Sequence, residues 1–194
     1  MKFSLLVVFL IAVISGVTTL VANAENKDTS IGAAVFNAKG ELVVPKDFQS
    51  WVFIGAPLTP NGLNNGQAAF PEFHYFYINP DAFAVYERTG IFPEGTVIAK
   101  ELVLLQKGDH PDGSKNGISG RGYFAGELNG MDVMVKDSSR FEDTNGWGFF
   151  NFWHHAPPYE KTAPATPKAS CAGCHQANAD KDMVFTDMYP ILRE

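Results

Sequence analysis

The chain is poor in cysteine and in positive charge, and it carries neither an internal repeat nor a low-complexity tract. Its only two cysteines, Cys171 and Cys174, stand three positions apart. A closed zinc site would need two more soft ligands at matching spacing, and no second cysteine pair exists to give them. Lysine and arginine number 15 against 21 aspartate and glutamate, for a net charge of −6. That balance argues against partners recognised by their negative charge, such as nucleic acid or anionic lipid.

What the chain does have is the run Cys171-Ala172-Gly173-Cys174-His175. C-x-x-C-H is the attachment signal of c-type haem: on one helical turn two sulfurs face the porphyrin's vinyl groups, and the next residue brings its imidazole to the iron. A thioredoxin-type dithiol would sit early, between a strand and a helix, whereas this pair lies near the end of the chain. The reading is a covalent haem c on Cys171 and Cys174, with His175 as proximal ligand.

The N-terminus agrees with that chemistry. Lys2 makes a short basic region, residues 5–17 are apolar, and Ala22-Asn23-Ala24 is a small-x-small cleavage site. An uncleaved anchor is the competing reading, because residues 5–22 are almost long enough to span a bilayer. The cleavage site favours residues 1–24 as a signal peptide removed after Ala24, and a bacterial periplasm is the expected address. Residues 25–194 then form one domain of ordinary size. The 16 phenylalanines, 6 tyrosines and 3 tryptophans suit a chain that wraps a large apolar cofactor as well as its own core.

Along the mature chain, residues 25–31 form a polar lead-in. Pro45 with Phe48, Trp51 and Val52 predicts a short amphipathic helix over 46–53, followed by a loop over 56–66. Residues 72–78 alternate as a strand, with Phe73, Tyr75 and Tyr77 on one face and His74, Phe76 and Ile78 on the other. Asn79-Pro80-Asp81 opens a helix over 81–89 that Gly90 closes. The longest strand is expected at 96–106, and a Gly/Asp/Ser/Asn loop at 110–120. Asn129-Gly130 reads as a hairpin turn between strands 121–128 and 131–136. An aromatic strand over 147–153, a Pro-rich connector over 156–166 and a haem-binding helix over 170–179 follow, and residues 185–192 close the molecule. The class is α+β, a mainly antiparallel sheet with a few short helices and a C-terminal haem-attachment helix. Neither the small helical cytochromes c nor the four-helix cytochromes c′ have such a body.

The sixth position on the iron separates electron transfer from chemistry. Met183 and Met188 follow His175 too closely to reach around the ring, so a second ligand would come from His74, His110, His154, His155, Met131 or Met134. An open position that binds a small molecule is the preferred expectation. Two further polar residues stand out. Alternation places Lys100 on one face with Ile98, Leu102 and Leu104, where its amine has to snorkel, neutralise or find a partner. Asp132 alternates with Met134, opposite Met131, Val133 and Val135. It reads either as a hairpin-end carboxylate in water or as a proton acceptor in an oxidation.

The fragments Gly40-Glu41-Leu42-Val43-Val44-Pro45, Trp51-Val52-Phe53-Ile54-Gly55, Leu58-Thr59-Pro60-Asn61, Gly95-Thr96-Val97-Ile98-Ala99-Lys100-Glu101-Leu102, Val135-Lys136-Asp137-Ser138 and Cys171-Ala172-Gly173-Cys174-His175 together resemble the cytochrome P-460 family, over residues 31–192. The resemblance implies a homodimer with one c-type haem per subunit, and a bond from the Lys100 side-chain nitrogen to a meso carbon of the porphyrin. It implies oxidation of hydroxylamine to nitric oxide and nitrous oxide, with Asp132 at the position of the family's distal acid and a small cytochrome c as redox partner. Two positions depart from the pattern: the family acid is usually glutamate, one methylene longer than Asp132, and His74 stands where arginine is expected. Phe70, Phe73 and Phe76 could form an apolar cap, as in the related β-type cytochromes c′, which bind nitric oxide or carbon monoxide. Gas binding is therefore the second expectation and plain electron transfer the third.

Overall fold

The computed structural model describes residues 34–193. The expected signal peptide and the lead-in at 25–31 lie outside the described residues. The strands are β1 (Leu42–Val43), β2 (Val52–Gly55), β3 (Phe73–Ile78), β4 (Val97–Leu105), β5 (Lys115–Gly117), β6 (Gly120–Gly122), β7 (Ala125–Lys136), β8 (Trp147–Asn151) and β9 (Thr162–Ala163). Among the described residues there are two α-helices, α1 (Pro80–Thr89) and α2 (Cys171–Asn178). The class is α+β as expected, built on a five-stranded antiparallel sheet in the order β2-β3-β4-β7-β8.

Period-two side-chain alternation gives this sheet two different faces. Ile78, Ile98, Met134 and Phe149 pack with Tyr86, Phe92, Val184 and Leu192, under α1 and the C-terminal turns. Val97, Ala99, Val133 and Phe150 pack with Leu42, Phe48 and Ala163 on the opposite face, against the β1–β9 pair. Burying each such side chain is worth about 2 kcal/mol. Helix α1 begins and ends where its residues dictate: Pro80 occupies the first turn and Gly90 takes a left-handed φ of 65°. Asn79, just before it, accepts the Val97 N–H on Oδ1 at 2.7 Å and so ties the helix start to β4.

Several local expectations give way to strand pairing. Residues 46–53 do not form a helix: only a 3-10 turn at Phe48–Ser50 appears, and Val52 and Phe53 enter β2 to pair with Ile78 and Tyr77. β-Branched and aromatic side chains beside an available sheet edge outweigh a helical spacing. The longest strand is β7, with twelve residues, rather than β4 with nine. Asn129-Gly130 is no hairpin. It lies inside β7 as a bulge, where the pairing steps from Leu102↔Gly130 to Val103↔Leu128. Gly130 is needed there because a Cβ would stand 3.0 Å from the Trp153 carbonyl oxygen and the His154 Cα.

The expected loop at 110–120 holds the β5–β6 hairpin. It is organised by Asp112, which accepts from Ser114 and pairs with Arg121 at 2.6 Å. Strand β8 stops at Asn151, and Trp153, with φ 68°, turns the chain away. The Pro-rich connector carries β9, which returns to pair with β1.

Candidate functional site

The sheet register places one polar row across the face that carries α2 and the C-terminal turns. Phe76 on β3 pairs with Lys100 on β4, Lys100 with Asp132 on β7, and Asp132 with Asn151 on β8. Lys100 Nζ lies 2.6 Å from Asp132 Oδ2, with both side chains about one-fifth exposed, and 5.2 Å from the centre of the Phe70 ring. The lysine on the apolar face thus has a partner. Asp132 is not a hairpin-end carboxylate in water, because β7 continues through it.

Asn151 holds the other side of that carboxylate. Its Nδ2 donates to Asp132 Oδ1 at 2.6 Å and lies 3.1 Å from His154 Nε2, while its Oδ1 accepts the Trp153 N–H at 2.9 Å. The backbone donor fixes which way the amide faces, so both Nδ2 hydrogens point at acceptors. Asp132 is therefore clamped from both neighbouring strands. Asn151, His154, Trp153, His155 and Glu160 line a hollow of about 550 Å³ that opens beside it.

His175 sits on α2, one residue after Cys174. Its ring packs between Phe149 at 4.6 Å and Phe185 at 4.8 Å, and Nδ1 donates to the Met183 carbonyl at 2.6 Å. A carbonyl can only accept, so the proton is on Nδ1 and the Nε2 lone pair is left for a metal. Burial lowers the pKa of His175 and, with the Lys100 cation, outweighs the opposing pull of the Met183 carbonyl and of Asp132, which favours the ligating neutral form.

The Met183 carbonyl is aimed by a strained stretch: Asp182 and Met183 both have positive φ, 47° and 64°. Asp182 is held there by Lys136 Nζ at 2.6 Å and by the Trp147 indole N–H at 3.2 Å. Cys171 and Cys174 are free thiols at i and i+3 on α2, the first half-buried and the second exposed.

Of the other candidate ligands, Met131 is buried on the opposite face, Met134 is part of the core, His110 bonds Asn116 in the hairpin region and His155 is bonded to the Ala156 carbonyl. His74 and His154 are the two that stand near the Lys100–Asp132 pair. Burial pushes the His74 pKa down to about 4, with Lys100 adding to the effect, and its Nε2 is buried without a hydrogen-bond partner among the described residues. Met183 packs beside His175 as expected, whereas Met188 is exposed.

Sequence reasoning missed Asn151 and the Met183 carbonyl. Asn151 had a visible signal, being a polar residue at the end of an aromatic strand. A backbone carbonyl leaves none.

No curated protein matches the chain. Residues 45–186, more than half of it, match the family model described as Cytochrome P460. That family carries haem, and the donors present suit the group: two free thiols one helical turn apart, a neutral imidazole whose Nδ1 is already committed, aromatic walls on both sides of it, and a buried His74 nitrogen with no partner among the described residues. On the family match and this donor set together, the chain belongs to the cytochrome P460 family.

Proposed function

We propose that the protein is an exported haem enzyme that oxidises hydroxylamine. In this reading Cys171 and Cys174 hold the haem through thioethers, His175 Nε2 holds the iron, and Lys100 Nζ is bonded to a meso carbon of the porphyrin. The observation that carries it is the Lys100–Asp132 contact of 2.6 Å, on the face whose electrostatics reach His175. Haem bound there supplies a redox-active Lewis acid for a small nitrogen ligand.

The side chains do the rest. Asp132, clamped by Asn151, takes a proton from the N–H or O–H of hydroxylamine. The hollow beside Asn151 and His154 gives that proton a way to water. Phe70 and Phe76 stand beside Lys100, the Phe70 ring 5.2 Å from its amine and Phe76 directly opposite on β3, and narrow its access to water. Residues 25–194 act as one domain, exported to the periplasm after cleavage at Ala24, working as a homodimer and passing electrons to a small cytochrome c.

A second reading, binding of nitric oxide without turnover, draws on the same aromatic residues: Phe70 and Phe76 pack at 5.6 and 6.2 Å from the His74 ring and could cap a gas ligand. Hydroxylamine and an artificial one-electron acceptor, added to the purified haem-loaded protein, separate the two. Sustained acceptor reduction that depends on hydroxylamine is expected. A stable adduct with no turnover would favour the gas binder.

A further inference from the structure

Two carboxylates are buried among the described residues, Glu72 at 6% and Glu101 at 3% exposure. They are treated very differently. Glu101, on the face away from Lys100, accepts from Gln49 Nε2 at 3.2 Å and from the Tyr159 hydroxyl at 2.8 Å, so its burial is compensated. Glu72 has no hydrogen bond or ion pair with any described residue. Its oxygens are not among the fully enclosed polar atoms that lack a partner and so keep a little contact with solvent, yet a carboxylate this far buried with no partner among the described residues still calls for an explanation.

Its position gives one. Glu72 precedes β3 by one residue and shares the alternation of His74 and Phe76, the face of the Lys100–Asp132 pair. The charged and titratable groups that act on it are His154, Lys100 and Asp132, with His74 two residues along its own strand. Asp132 has one oxygen on Lys100 Nζ and the other on Asn151 Nδ2. Glu72 has both oxygens uncommitted. The site therefore contains one clamped acid and one free acid, beside a His74 Nε2 that is likewise unpartnered.

We propose that Glu72 is a second proton acceptor of this site, taking a proton from the N–H or O–H of hydroxylamine while the bonding electron pair stays on the substrate. The inference rests on hydroxylamine being the substrate, as proposed above. Oxidation to nitric oxide removes three protons and three electrons, the electrons going to the one-electron acceptor and the protons to carboxylates and then to water. One acid with both oxygens engaged is poorly placed to take them all. Burial raises the Glu72 pKa, which makes it a stronger base than an ordinary carboxylate and limits its useful range to pH above that raised value.

The test is Glu72→Gln in the haem-loaded protein, with Glu72→Asp beside it. Glu72→Gln keeps its haem and lowers kcat about 10- to 100-fold, and the rise of rate with pH that Glu72 ionisation gives disappears. Glu72→Asp restores part of both. Thermal unfolding separates a functional acid from a structural one. The folded-state pKa is raised, so the cost of burying the charge is absent below the ordinary carboxylate pKa, grows as pH rises from there to the raised value, and is constant above it; Glu72→Gln is neutral for stability in acid, increasingly stabilising across that window and fully so above the raised pKa. A structural carboxylate would instead lose stability on replacement.

Infrared difference spectra of wild type against Glu72→Gln should show loss of a protonated-carboxyl band below that pKa. Glu72→Gln turning over within about twofold of wild type at every pH, or losing stability above neutral pH, overturns the proposal and leaves the hydroxylamine reading standing. An inactive wild type removes the substrate itself.

Discussion

Asp132→Ala is expected to lower kcat for hydroxylamine oxidation by about 10²- to 10³-fold, the usual loss when a positioned general base is removed, while haem stays attached. The carboxylate is held by Lys100 at 2.6 Å and by Asn151 at 2.6 Å, so it keeps one orientation instead of sampling several. In the proposed reading this clamp lets a side chain one methylene shorter than glutamate serve. Its reach is fixed by strand register, with Lys100↔Asp132 and Asp132↔Asn151 directly opposite.

Asp132→Asn is the more revealing variant. Both neighbours present donors to the two oxygens, so the amide's own N–H2 has to face one of them. It should be as slow as Asp132→Ala although it is isosteric. Steady-state rates with an artificial acceptor check both variants, and unchanged rates would remove the proton-transfer role.

The alternation at 72–78 and around Lys100 was readable because both strands are flanked by partners on each side and each face packs against its own core. For such strands register and periodicity coincide. Helix α1 was readable from Pro80 and Gly90, whose backbone preferences act locally. The errors fall where a local signal competes with a distant partner. Asn129-Gly130 has the composition of a turn, but β4 and β8 are present on either side of β7, and continuing the ladder with a bulge satisfies more backbone groups than reversing the chain. The same competition turned Val52 and Phe53 into β2. In the candidate site, the placing of Cys171, Cys174 and His175 on one short helix was legible from spacing alone, and that of Lys100 beside Ile98 and Leu102 from alternation; their roles toward haem belong to the proposed function. The pairing of Lys100 with Asp132 depends on the register of two strands about thirty residues apart in sequence, which no local pattern encodes.

Lys100→Met is the second large effect expected. The variant keeps haem on Cys171 and Cys174 but shows an ordinary c-type ferrous spectrum, and hydroxylamine oxidation falls at least tenfold. Two losses combine. The nitrogen proposed to join the porphyrin is gone, and Asp132 loses the cation that shares its half-buried position. The second loss alone costs only about 1 kcal/mol of stability, since the pair keeps contact with water. A variant that folds, binds haem and fails to oxidise hydroxylamine is therefore expected, and it would place the defect at Lys100 chemistry and not at folding. Arginine is no substitute, because its guanidinium stays protonated and is a poor nucleophile.

The most direct measurement is protease digestion of the mature wild-type protein followed by mass spectrometry of the haem-bearing fragments. The expected result is one haem joining the peptide that contains Cys171 and Cys174 to the peptide that contains Lys100, together with a red-shifted ferrous Soret band that survives denaturation. Haem found on the cysteine peptide alone, with an unmodified Lys100 peptide and an ordinary c-type spectrum, would contradict it.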